Sequence, residues 1–155
     1  MKTPRLEKVI VAIWIWSLAT RKWMKDFSEI TGNLHAITWQ KPVQILSKKS
    51  ISNFKLRENM PSMLKVTLRK QKAYDFLFKT AKMVMTRVRD FNWFSEKSFD
   101  QQGSYTIGMK TYSIFPELHP DNISTDIWLQ ITIQTTSSSK KDTRVLLESI
   151  GFMFK

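Results

Sequence analysis

The chain has 155 residues, 42% hydrophobic and 12% aromatic, enough apolar material for one packed domain and too much for simple disorder. It has no cysteine, two histidines and four glycines, which excludes disulfides, thiolate metal sites, cysteine nucleophiles and a glycine-built dinucleotide fingerprint. Its 25 Lys and Arg outnumber 13 Asp and Glu, and the resulting +12 calls for polyanionic partners.

Residues 4–16 predict a strand, since β-branched and aromatic side chains dominate from Val9 to Trp16. The apolar run from Val9 to Thr20 is twelve residues, short of the roughly 20 that span a bilayer. Neither a cleavage motif nor an Arg- and Ser-rich transit segment accompanies it. Trp23, Phe27, Ile30, Leu34 and Ile37 recur at helical spacing, with Gly32 interrupting the stripe. Pro42 breaks that pattern, and residues 43–46 predict a short strand.

Residues 47–53 are polar, basic and turn-rich, and 54–57 alternate like a returning strand. Together they predict a long hairpin with cations at its tip. After a turn at Asn59, Met60 and Pro61, residues 64–69 predict another strand. Tyr74, Leu77, Phe78, Ala81, Val84, Met85 and Val88 form a second helical stripe, with Lys72, Lys79, Lys82 and Arg87 opposite. Residues 90–104 lack a period and predict a loop. Residues 105–109 and 128–134 predict strands, with Pro116 and Pro120 marking irregular chain between them. Ser139 and Asp142 have capping-box spacing before a last helix that Gly151 ends. The elements mix without a linker, so residues 1–155 predict a single α+β domain, an antiparallel sheet backed by helices with a long basic hairpin loop.

The charge is unevenly placed. Residues 1–40, strand plus helix, carry +3; residues 41–89, the hairpin, strand and helix, carry +11. Residues 90–126, the acidic loop and strand region, carry −4, and residues 127–155, strand plus last helix, carry +2. A long one-signed segment interleaved with apolar residues predicts a polyanion-binding face.

Enzyme motifs do not assemble. The stretch Gly103-Ser104-Tyr105-Thr106-Ile107-Gly108-Met109-Lys110-Thr111 places Met109 where a phosphate loop needs lysine directly after glycine, and it enters a strand. Asp90, Glu96, Asp100, Glu117, Asp121 and Asp126 are spread through loops rather than converging for a hard cation. His35 borders the first helical stripe, and His119 has no partner at metal-ligand spacing. No catalytic constellation, metal or cofactor is expected. The competing classes are a metal-dependent nucleic-acid enzyme using Asp90, Glu96 or Asp100, and a peripheral membrane protein using Lys79 and Lys82. Interspersed strands argue against the second.

Several motifs occur together in one order. They are Pro4-Arg5-Leu6-Glu7-Lys8, Gln40-Lys41-Pro42, residues 47–57, and Leu64-Lys65-Val66-Thr67-Leu68-Arg69. Arg87-Val88-Arg89-Asp90-Phe91, Lys97-Ser98-Phe99-Asp100 and Gly103-Ser104-Tyr105-Thr106-Ile107-Gly108 follow, then Ile114-Phe115-Pro116-Glu117 and Gly151-Phe152-Met153-Phe154. From about Pro4 to Lys155 the chain closely resembles the universal large-subunit ribosomal protein five family, which binds 5S rRNA in the central protuberance.

The resemblance implies rRNA on the open face of the sheet, with 5S rRNA where present and a large-subunit rRNA stem as partners. Gln40 and Thr67 match family positions that touch 5S rRNA; Lys41, Lys55, Arg57, Lys65 and Arg69 join them as rRNA-binding residues. Ser47, Lys48, Lys49 and Ser50 match a loop that faces peptidyl-site tRNA. An edge carrying Arg87, Arg89, Asp90, Glu117 and Asp121 is implied to bridge to a basic protein of the small-subunit head, beside neighbouring central-protuberance proteins. No membrane contact is implied.

The departures are local. The family usually begins with an extra N-terminal helical stretch, whereas this sequence starts almost directly at the first strand, and Ala12, Ile13 and Trp14 occupy the region of the family's strand-end asparagine. Trp39 and Lys70 stand at glycine positions, and Ser62 and Met63 replace an apolar-glycine pair. Such drift, with six tryptophans, implies an organellar ribosome, mitochondrial in preference to plastid.

Overall fold

The computed structural model describes residues 3–21, 26–89, 91, 93–119, 123–125, 127–137 and 139–155. Trp23, Pro120 and the acidic residues Asp90, Asp121 and Asp126 lie outside them.

Strand β1 (Leu6–Trp14) alternates Val9, Val11 and Ile13, all fully buried, against Ile10, Ala12 and Trp14 on the other side. It is the centre of a five-stranded antiparallel sheet. One neighbour is β3 (Pro61–Leu68), with Val11 opposite Val66; the other is β5 (Leu129–Thr135), with Val11 opposite Ile131. β2 (Val43–Leu46) completes one edge beside β3, and β4 (Tyr105–Met109) the other beside β5. Burying Leu64, Val66, Leu68, Leu129, Ile131 and Ile133 on one face requires cover, because each fully buried aliphatic side chain is worth about 1.5–3 kcal/mol.

Helices supply that cover. A short α1 (Trp16–Arg21) follows β1 directly, where a strand residue was expected at Trp16. α2 (Ser28–Thr38) buries Ile30, Leu34 and Ile37 and runs through the exposed Gly32. α3 (Gln71–Lys79) continues into one wide π turn at Thr80–Val84 and a 3-10 turn at Met85–Arg87. Its inward stripe is Ala73, Phe76, Leu77, Thr80 and Val84; Phe78, expected inside, is exposed beneath the Lys82 ammonium, 4.6 Å from the ring centre. α4 (Lys140–Ile150) ends at Gly151, whose φ of +117° gives the expected left-handed stop. Its start differs from the expected capping box: the Ser137 hydroxyl, not that of Ser139, donates to Asp142 (3.0 Å).

The last residues close the molecule. Phe94 N–H donates to Met153 O (2.7 Å), Lys155 N–H donates to Phe94 O (3.3 Å), and Phe94 packs among Phe91, Tyr105, Phe152 and Phe154.

Trp39 and Lys70, two positions where the resemblance leads one to expect glycine, have φ of 55° and 53°. At Lys70 ψ is −137°, a region that glycine alone enters freely. Relieving strain of about 1–3 kcal/mol there outweighs the extra unfolded-state entropy of glycine, about 0.4–1 kcal/mol. Lys70→Gly is therefore expected to raise the melting temperature by about 2–4 °C, measured by thermal denaturation.

Candidate nucleic-acid interface

The face of the sheet opposite the helices is open. By strand alternation it presents Lys8, Ile10, Ala12 and Trp14 from β1, and Met63, Lys65 and Thr67 from β3. β5 adds Gln130, Thr132 and Gln134, and β4 adds Thr106 and Gly108. None of these side chains is acidic. A short polar chain crosses the strands: Trp14 Nε1 donates to Gln130 Oε1 (3.2 Å), Gln130 Nε2 to Thr132 Oγ1 (3.4 Å), and Thr106 Oγ1 to the same hydroxyl (3.4 Å).

Gln40 and Thr67 are brought together. The β2–β3 ladder stops at Val43 opposite Lys65, and Pro42 has no N–H with which to extend it. Gln40 Nε2 fills the gap by donating to Thr67 O (3.1 Å), so its amide nitrogen is committed while its carbonyl oxygen carries no such bond. Lys41, Lys55, Arg57 and Arg69 are exposed, and Lys65 is half-buried.

The excursion between β2 and β3 folds differently from a plain hairpin. Residues 54–57, expected as a returning strand, contain the end of a 3-10 turn (Ser52–Phe54) and the left-handed Lys55 (φ 53°). Ile51 and Leu56 pair across it, and nearer its base Ser47 N–H donates to Met60 O (2.8 Å) while Asn59 N–H donates to Ser47 O (2.9 Å). Its tip is therefore 52–55, and Lys48 and Lys49, expected at the tip, lie on the outgoing limb. That limb is fastened: the Ser47 hydroxyl donates to Lys49 O (2.8 Å), and the Ser50 hydroxyl accepts from Glu58 N–H (3.0 Å). Lys48, Lys49 and Ser50 remain exposed, and Phe54 meets Trp16 edge-on at 5.6 Å, pinning the excursion to α1.

The expected bridging residues separate. Arg87 and Arg89 are exposed and border a 620 Å³ groove that also includes Trp93 and Lys110. Glu117 instead turns inward: its carboxylate accepts from Lys79 Nζ at 2.5 Å, and Lys79 also donates to Ile37 O (2.8 Å). With side chains only 18% and 20% exposed, this pair joins α2, α3 and the 111–119 loop. It removes Lys79 from any outward cationic face and commits Glu117 internally. Sequence distance hid it; a Glu 38 residues from a Lys carries no local signal. Glu117→Gln is expected to cost about 1.5–3 kcal/mol in a urea melt, because the ammonium keeps its place and loses its counter-charge.

Among the described residues no three His, Cys, Asp or Glu side chains gather as a metal site. Glu96 pairs with Arg144, and Asp100 accepts from Gln101 N–H (2.7 Å). No helix among them is long and apolar enough to cross a membrane.

Comparison with known proteins matches the chain along nearly its whole length. A family model described as Ribosomal protein L5 matches residues 1–57, and a second model, for the C-terminus of the same ribosomal family, matches 61–154. The chain is 43% identical to the large ribosomal subunit protein uL5 of Heliobacterium modesticaldum, over 100% of this chain and 85% of that protein. It is 40% identical to the same-named protein of Nitratidesulfovibrio vulgaris, covering 100% and 86% of the two. The protein of that name from Thermosipho melanesiensis is 40% identical, covering 99% and 84%.

Proposed function

The chain belongs to the ribosomal protein L5 family, a structural and non-enzymatic family, and on that premise we propose that it is an rRNA-binding component of an organellar large ribosomal subunit. In this reading it sits in the central protuberance, on a large-subunit rRNA stem and on 5S rRNA where that RNA is present. The family assignment closes the alternative of a metal-dependent nuclease.

The observation that carries the reading is the acid-free open face, flanked by the exposed cations of residues 41–69. Phosphate neutralisation by Lys41, Lys55, Arg57, Lys65 and Arg69 supplies affinity through counterion release. Gln40 Oε1 and the Thr67 hydroxyl supply the neutral groups that read ribose hydroxyls and base edges. Arg87 and Arg89 border the small-subunit side, with Asp90 and Asp121 as the acids that would meet a basic head protein. Glu117 serves that edge from inside, by fixing the loop through Lys79. The mitochondrion is the favoured compartment and the plastid the alternative, on the strength of Trp39 and Lys70 at positions where the family leads one to expect glycine and of the six tryptophans.

Isolation of the native complex at low salt tests this directly. Recovery in a large ribosomal particle is expected; a complex free of RNA would refute the reading. The limb of residues 47–50, exposed from Lys48 to Ser50, is assigned to peptidyl-site tRNA. Replacing both Lys48 and Lys49 by Ala is expected to leave particle assembly intact and to weaken tRNA retention roughly tenfold or more, as two phosphate contacts are lost. Failure of assembly would reassign the limb to rRNA.

A further inference from the structure

We propose that Trp14 and Trp128 form a base-stacking platform on the open face of the sheet, which captures unpaired nucleotides of RNA. This rests on the reading that the open face meets RNA and names what part of the RNA it takes.

The two indoles leave the sheet together. Ile13 and Leu129 are opposite one another and fully buried, so Trp14, the next residue, and Trp128, the preceding one, are displayed on the opposite face at the same end of the two central strands. They are 39% and 48% exposed, a large aromatic area for the face of a sheet.

Each indole is held. Trp14 spends its only N–H on Gln130 Oε1 (3.2 Å), which fixes the ring and leaves its π surface for another partner. Trp128 covers Gly108: a Cβ built there would stand 2.7 Å from Cζ2, 3.3 Å from Cε2 and 3.4 Å from Nε1. Only glycine permits that approach. Aromatic groups fixed in advance lose little entropy on binding, and stacking is therefore well repaid.

The surroundings select the ligand. Gln130, Thr132 and Thr106 are neutral donors and acceptors, and Lys65 stands in the same cross-strand row as Gln130, with Ala12 between them. Apolar rings among neutral polar groups and a cation, without a carboxylate, suit a base with its ribose and phosphate. In a duplex the base faces are already stacked on one another, so only unpaired nucleotides can use the indoles.

The test uses the full chain and three probes: an unstructured 12-nucleotide RNA, the same RNA with abasic central positions, and an RNA duplex. Trp14→Leu and Trp128→Leu are each expected to weaken the base-bearing single strand roughly 5- to 100-fold. Trp→Phe at either site is expected to retain most of the affinity. Abasic RNA should bind wild type and Leu variants alike, and duplex binding should be unchanged. Gly108→Ala, which forces Trp128 off its seat without removing an aromatic, is expected to reproduce the Trp128→Leu loss, with thermal melts confirming the fold. Equal binding of base-bearing and abasic RNA by wild type overturns the platform, as does equal loss on duplex by the Leu variants. Binding of duplex alone overturns the platform and leaves the open face an RNA surface. Failure of wild type to bind any of the three overturns that surface as well.

Discussion

Raising the salt concentration from about 50 to about 200 mM is expected to weaken the complex with rRNA about a hundred- to five-hundredfold. Five cations are assigned to rRNA: Lys41, Lys55, Arg57, Lys65 and Arg69. If each neutralises one phosphate of a single-stranded or irregular segment, the logarithm of affinity falls with that of salt at a slope of about −3.5. Helical contacts steepen the slope to about −4.5. A fourfold rise in salt then costs about two to three decades. Filter binding across a salt series measures the slope, and Arg69→Ala should make it shallower by about one. A slope nearer −2 would mean that most of these cations face water or protein, and would move the interface away from β3 and the excursion.

Phe94→Ala is expected to cost about 3–5 kcal/mol, a large share of the 5–15 kcal/mol that holds a domain of this size together. Phe94 contacts four aromatic rings, and its backbone carries the bridge to Phe154. Truncation opens a cavity where β4, the 93–99 segment and the chain end meet. Denaturant melts should show the loss, and Phe94→Leu should recover part of it. The same cluster has an alkaline limit. Burial raises the pKa of the Tyr105 phenol to about 12, with a hydrogen bond from Ser98 opposing the shift. Below about pH 10 the phenol is neutral whether folded or unfolded, so its contribution is fully present. Between about pH 10 and 12 the unfolded chain ionises first, and that contribution is progressively lost. Absorbance titration of tyrosine should therefore show a component near 12 that moves to about 10 in denaturant.

Much of this fold is legible in the sequence because its signals are local. Alternation in β5 separates Leu129, Ile131 and Ile133 from Gln130, Thr132 and Gln134, and Gly151 marks the end of α4 by the conformation it permits. The same alternation puts Lys65 and Thr67 on one face of β3. What local pattern missed was decided by tertiary contact. Phe54 to Arg57 alternate like a strand, yet Phe54 packs on Trp16 and Lys55 takes a left-handed turn. The inward stripe of α3 runs through Ala73, Phe76, Leu77 and Thr80, so Phe76 goes inside and Phe78 lies outside beneath Lys82. Lys79 looked like one more cation of an RNA face and is instead held inside by Glu117 and a carbonyl. The two indoles were equally hidden, because Trp14 and Trp128 meet on one face only through the pairing of β1 with β5.

The central place of β1 has a consequence for how the protein is made. Its first partner, β3, is complete at Leu68, whereas its second, β5, is complete only at Thr135. At about 5–20 residues per second, the intervening roughly 70 residues take about 3–14 s to synthesise. Throughout that interval one edge of the most apolar strand is unpaired on a nascent chain, next to the half of the sheet that carries Lys65 and Thr67. A chaperone with a preference for exposed β-edges, or the RNA itself, has those seconds in which to shield it. Codons slowed between these two strands would lengthen that exposure without altering one residue of the finished protein.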